Sequence, residues 1–285
     1  FEARRQRQMC IRDSFYFAYY FFVGLFTPYW GLYLQSLHFN AIQIGFLLSI
    51  FQFIRIFAPN FWGWLADYTK QRARWIKFTA LAGAIGFCGI FFVDSFFLIL
   101  SIMMIMSIFT SSTLPLAESL TLSHLSSHKG NSSYSQIRLW GSIGFICAAS
   151  SLGLIIDLSN IKAVIWAILI IQISIFLTAN YIPEKKIPEI DSKKRSIIKV
   201  LLNPQVICIL VGCALMVSAH GLLYNFYSIF LKENNYSNLM IGFLWSVGVI
   251  CEIFIFLLMP KILKKLSVKT IILISLALGV LRFFL

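Results

Sequence analysis

Nine long apolar runs, separated by short polar connections, constrain this chain more than any other feature. They cover about 14–36, 41–66, 75–93, 96–119, 138–156, 162–182, 204–231, 239–260 and 270–285. A helix rises ~1.5 Å per residue and bilayer hydrocarbon is ~30 Å thick, so ~20 apolar residues cross it. Every backbone polar group in lipid must be satisfied internally, which makes each run a helix. Composition agrees: of 285 residues 59% are apolar and only 12% charged. That is too little polar surface to enclose a soluble core of this size. The chain is expected to be an all-α polytopic membrane protein.

The net charge of +13 is no nucleic-acid footprint, because the basic residues cluster at the ends of apolar runs. Lys and Arg favour the cytoplasmic side of a membrane. Alternate connections carry nineteen of them on one side against two, Lys162 and Lys232, on the other. The N-terminus and the 183–200 loop are therefore expected in the cytoplasm. That loop is hydrophilic, with two prolines and mixed charge, and reads as a linker. The expected division is an N-terminal six-helix half over 1–182, a linker over 183–200, and a partial second half over 201–285 holding spans seven to nine. The chain lacks an initial Met and ends within an apolar run, so the sequence reads as incomplete.

An internal repeat supports two pseudo-symmetric halves. A shift of 197 residues places Gly24-Leu25 on Gly221-Leu222 and Ile44-Gly45-Phe46-Leu47 on Ile241-Gly242-Phe243-Leu244. The same shift carries Arg55 onto Glu252, both within spans. Opposite charges at equivalent positions are expected to face each other across a central cavity. A second such pair is Glu118, ending the fourth run, and Arg138, beginning the fifth. Ionisable residues within spans usually line the bundle interior or a substrate path. Arg138 presents a planar fork suited to a carboxylate. The alternative for Glu118 with Arg138, and for Arg55 with Glu252, is a purely structural ion pair. His220 is either a proton relay or a polar contact between helices. Tyr20 and Tyr224 combine an aromatic face with a hydroxyl and suit a cavity wall.

The segment Gly63-Trp-Leu-Ala-Asp67-Tyr-Thr-Lys70-Gln-Arg72-Ala-Arg74 resembles the loop motif between spans two and three of the major facilitator superfamily. In that motif the Gly admits a close helix, the Asp caps a helix end, and the basic residues sit at the membrane surface. The copy departs from the pattern at Tyr68, where a basic residue is usual, and lacks the second glycine. Further pieces are similar to the lactose-permease-related branch, and most of all to bacterial phenylpropionate permeases. These are Gly24-x-x-x-Pro28, Arg138-Leu-Trp-Gly-Ser-x-Gly-Phe145, Ala219-His220 with Tyr224, and Gly242 to Glu252.

The resemblance implies a major facilitator fold of two six-helix halves, here with about nine spans. It implies that Pro115 to Glu118 and Arg138 hold the substrate, and that Phe145 supplies the aromatic platform. It implies proton-coupling or gating roles for Glu252 and Arg282, to which the residue patterns add Arg55 and His220. Gly63, Asp67, Lys70, Arg72 and Arg74 would form the conformational-switch loop. The expected function is proton-coupled symport of a small organic solute by alternating access, first an aromatic carboxylate such as 3-phenylpropionate. The alternatives are a sugar or nucleoside symporter and a non-transporting truncated remnant.

Nothing in the sequence resembles an enzyme or a nucleotide-driven pump. The proton gradient would be the energy source, with no cofactor. His124 and His128 share a helical spacing but have no further ligand near, so no metal is expected. Neither is nucleic acid. The expected setting is a monomer in the bacterial inner membrane.

Overall fold

The computed structural model describes residues 2–126, 134–184 and 201–284. Most of the 183–200 linker, together with His128 and Lys129, lies outside these residues. Among the described residues nine α-helices follow one another and there is no strand. They are α1 (Glu2–Ser36), α2 (Ala41–Thr69), α3 (Arg72–Cys88), α4 (Phe96–Ser126) and α5 (Tyr134–Leu158), then α6 (Ala163–Ala179), α7 (Pro204–Glu233), α8 (Asn238–Ile262) and α9 (Val268–Phe284). A 3-10 turn over Gly89–Phe92 extends α3.

Each apolar run has thus become one helix. The main difference is at the start, where α1 begins at Glu2, twelve residues before the apolar run. Apolar length sets how much helix sits in lipid, whereas backbone hydrogen bonds continue through a polar start without penalty. Among the described residues six helices are long and apolar enough to cross a membrane by length and composition: α2, α3 with its 3-10 turn, α4, α5, α7 and α8. The apolar α6 is shorter, with 17 residues. Pro28, Pro59 and Pro115 lie inside α1, α2 and α4. Helices in lipid tolerate such prolines because neighbours satisfy the freed carbonyls.

The helices divide between two compact units. The first holds α1 to α6 together with Ser228–Ile250; the second holds α7 up to Tyr227 and the chain from Cys251 onward. In the first, α1 packs on α5 and α6, and α4 packs on α2 and α3. Small residues permit this. A Cβ at Gly24 would lie 2.6 Å from the Phe145 carbonyl oxygen, and one at Gly144 2.5 Å from that of Phe17. Between α3 and α4, Gly83, Gly86 and Gly89 sit against Thr110, Ile105 and Ile102. Lipid gives helices no hydrophobic reason to associate, so close backbone approach carries the packing. The core itself is aromatic, with Trp30 stacked between Phe26 and Tyr33. Phe53, Phe57 and Phe61, one helical turn apart on α2, are all more than half exposed and form an apolar face.

The repeat is visible in the backbone. The 197-residue shift carries Ser36, the end of α1, onto Glu233, the end of α7. It carries Ala41, the start of α2, onto Asn238, the start of α8. In the intervening turns, His38 and Asn235 are equivalent and share a left-handed conformation, at φ 63° and 64°.

In the second unit, α7 and α9 approach through small residues, with Met216 Cε 3.6 Å from where a Cβ of Gly279 would be. The His220 ring on α7 lies 6.1 Å from that of Tyr224, tilted by 34°.

Candidate functional site

One stripe of α5 faces α1 and carries the expected substrate residues. Arg138, Gly141 and Phe145 recur at helical spacing, so they share a face. Gly141 seats the Tyr20 ring: a Cβ there would fall 2.5 Å from Tyr20 Cδ2. With the ring so placed, the Arg138 guanidinium carbon stands 4.0 Å above its centroid. This is a cation–π contact, and it holds the guanidinium plane in one orientation. Phe145, at the other end of the stripe, is 8% exposed and packs on α1 at Gly24. Its ring lies next to that of Trp245 of α8, tilted by 50° and centroid to centroid 6.4 Å.

The other charges enter through Tyr19. Its ring meets that of Tyr20 edge to face at 5.8 Å, and it lies within electrostatic reach of both Arg55 and Glu118. Arg55 Nη1 donates to Gln52 Oε1 at 3.4 Å along α2. Glu118 is half-buried on α4. The structure therefore brings Tyr20 and Arg138 together, with Phe145 two helical turns along the same face of α5 and Tyr19 within electrostatic reach of Arg55 and Glu118. Tyr224, His220, Glu252 and Arg282 belong to the second unit. There His220 Nδ1 is 2.8 Å from the Met216 carbonyl oxygen, Glu252 is half-buried and Arg282 exposed.

Gly63 admits no close helix here: among the described residues, nothing lies within 4 Å of its built Cβ. Asp67 pairs across the turn with Arg72, at 2.6 Å to Nη2 and 2.8 Å to Nε. The carboxylate at the start of α3 is that of Glu184, whose Oε2 accepts from the Ala73 amide at 2.7 Å. An acid is favoured at a helix N-terminus wherever the fold brings one, and the segment after α6 brings Glu184. Lys70 takes the left-handed C-cap of α2, at φ 54°, and Arg74 donates to Gln71.

Two groups were not expected. Trp245 lies within the quoted Gly242 to Glu252 piece but was given no role; the repeat places it opposite Leu48, which offers no hint of its size. The second group joins α5 to the start of α8. Tyr29, fully buried on α1, shares its hydroxyl proton between the carbonyls of Ala149 at 2.6 Å and Asn238 at 3.1 Å. Asp157 Oδ1 accepts from the Asn238 amide at 3.0 Å and its Nδ2 at 2.6 Å, while Oδ2 accepts from the Leu239 amide at 2.8 Å. It thereby caps α8 from another helix. Gly153 and Gly242 let the backbones meet at this point. No sequence spacing signals a cap supplied from 81 residues away.

The family model described as MFS_1 like family matches residues 11–285. The chain is 28% identical over 275 residues to the uncharacterized transporter YwbF of Bacillus subtilis, covering 95% of this chain and 68% of that protein. It is 26% identical over 274 residues to a probable 3-phenylpropionic acid transporter of Escherichia coli, covering 94% and 71%. A maltose permease of Geobacillus stearothermophilus is 31% identical over 144 residues, half of this chain and 36% of that one. Among solved structures, the nucleoside transporter NupG (D323A mutant) matches with a TM-score of 0.77 at 17% identity, over 92% of this chain and 70% of that one.

Proposed function

The chain belongs to the MFS_1 like family of membrane transporters, and from that premise we propose that it carries a small aromatic carboxylate, in symport with protons, by alternating access. It is no enzyme. The observation that supports the substrate class is the Arg138 guanidinium held over Tyr20, on the same face of α5 as Phe145. A fixed guanidinium offers a carboxylate two parallel donors. The aromatic side chains offer the rest of such a solute a face at low entropic cost. The similarity to a probable 3-phenylpropionic acid transporter points the same way. Arg55 beside Tyr19 adds a second positive centre that attracts an anion.

In this reading Trp245 lies next to the Phe145 platform in the conformation described, and the contacts of α5 with the start of α8 form a closed gate. Substrate reaches the site from that side only when Asp157 releases the α8 amides and Trp245 moves off Phe145. By charge bias this is the side opposite the cytoplasm, with the N-terminus inside. Arg55 and Glu252 occupy equivalent positions of the repeat. His220, Glu252 and Arg282 are the proposed proton-handling groups.

The test is uptake of labelled phenylpropionate and of lactose in cells lacking related carriers, with and without a protonophore. Protonophore-sensitive uptake of phenylpropionate, lost in Arg138→Ala, supports this function. Uptake of lactose alone assigns the site to sugars, a second reading favoured by the similarity to a maltose permease. Uptake of neither, by protein shown to be in the membrane, refutes both substrate classes.

A further inference from the structure

The first unit contains a polar spot that neither the transport site nor the α5–α8 contacts use. Gln172, midway along α6, is 2% exposed, and neither polar atom of its amide has a hydrogen-bond partner among the described residues. It lines a cavity, with room for about one water molecule, whose walls include Tyr19 and Phe22 of α1 and Thr110 and Thr113 of α4. A primary amide removed from water without a partner is heavily penalised, so a buried glutamine is retained where something meets it.

The two threonines can meet a donor but have little to give. The Thr110 hydroxyl donates to the Met106 carbonyl at 2.7 Å. That of Thr113 lies 3.1 Å from the Thr79 hydroxyl and 3.4 Å from the Phe109 carbonyl. Their oxygens keep lone pairs. A group fitting here must donate to hydroxyl oxygens and also bond an amide, which water does. A monovalent cation fits poorly: the lining residues include no carboxylate, and a bare charge in this interior would be uncompensated.

We infer that Gln172, Thr110 and Thr113 bind one structural water inside the N-terminal bundle. The water ties α6 to α4 in a cavity that Tyr19 helps to line, and Tyr19 is within electrostatic reach of Arg55 and Glu118. It is part of what holds α1 in register beneath the transport site, whatever solute that site takes.

Hydroxyl-radical footprinting of the intact wild-type protein in nanodiscs tests this, because bound waters label side chains that bulk solvent does not reach. Phe22, 4% exposed and in the cavity wall, is expected to be oxidised several-fold faster than Phe87, 1% exposed and outside it. Equal, low reactivity of the two overturns the inference. Gln172→Met removes both polar atoms at nearly constant volume. It is expected to lower the melting midpoint by a few degrees and to abolish the excess labelling of Phe22. An unchanged or higher midpoint would mean the amide had no partner to lose, which also overturns it. A melting midpoint that depends on sodium against potassium would replace the water by a cation and refute the assignment.

Discussion

Arg138 is held by a ring rather than by chain geometry alone, and this makes its chemistry sensitive to shape as well as charge. Arg138→Lys keeps the positive charge but loses the planar fork and the flat contact with Tyr20. A charged hydrogen bond contributes ~1.5–3 kcal/mol, so substrate affinity is expected to fall roughly ten- to a hundredfold. The KM of phenylpropionate uptake would show it, and an unchanged KM would remove Arg138 from the carboxylate site. Tyr29 is the structural counterpart. Tyr29→Phe deletes a buried hydroxyl that serves two carbonyls; a loss of about 1 kcal/mol is expected, read as a lower melting midpoint in detergent. Both residues were visible in the sequence only as types. Arg138 stood out because a charge in an apolar run needs a reason, whereas Tyr29 is one of 11 tyrosines and nothing local marks it.

At the scale of helices, glycines decide which pairs pack. Gly144→Ala would drive a methyl into the Phe17 carbonyl of α1, at 2.5 Å, where only the backbone could yield. The expected result is strong destabilisation, with loss of monodisperse protein on size-exclusion chromatography. Gly63→Ala meets nothing within 4 Å among the described residues. Its higher helix propensity is worth up to ~1 kcal/mol, so the variant should be neutral or slightly more stable. Comparing the two melting midpoints checks the argument, and equal losses would contradict it. The glycine of the loop motif has no neighbour within 4 Å among the described residues. Glycines that do admit a helix, among them Gly24 and Gly144, have partners set by which helices the fold brings together.

For the whole molecule the question is what moves. The α5–α8 contact includes the bonds of Asp157 and Tyr29 and a Ser150–Ser246 hydroxyl contact at 3.3 Å, and Asp157 is largely exposed, so its capping bonds contribute about 1 kcal/mol or less and break readily. Asp157→Ala is expected to shift the population toward the state open on that side. Replacing the six native cysteines and placing one at Ala149, which is fully buried, gives the readout: its alkylation by a membrane-impermeant reagent should quicken several-fold when Asp157→Ala is added. If the rate is the same with either residue, Asp157 is no part of a gate.

By itself the sequence determined the helices, their number among the described residues, most of their boundaries to within about five residues, the start of α1 and the end of α4 excepted, and the repeat. The physical reason is that lipid leaves a backbone one solution, so apolar length alone reports each span. The repeat was legible for a related reason. Equivalent helix ends and the equivalent left-handed turns at His38 and Asn235 are local geometry, written in local residues. Charges in apolar runs likewise announced Arg138, Glu118 and Arg55. What only the tertiary structure decided is every partner: Tyr20 beneath Arg138, Trp245 next to Phe145, Glu184 at the start of α3, Asp157 at the start of α8, and the cavity beside Gln172. These contacts join residues far apart in the chain, and their strength depends on distance and burial, which spacing along one strand of sequence does not encode.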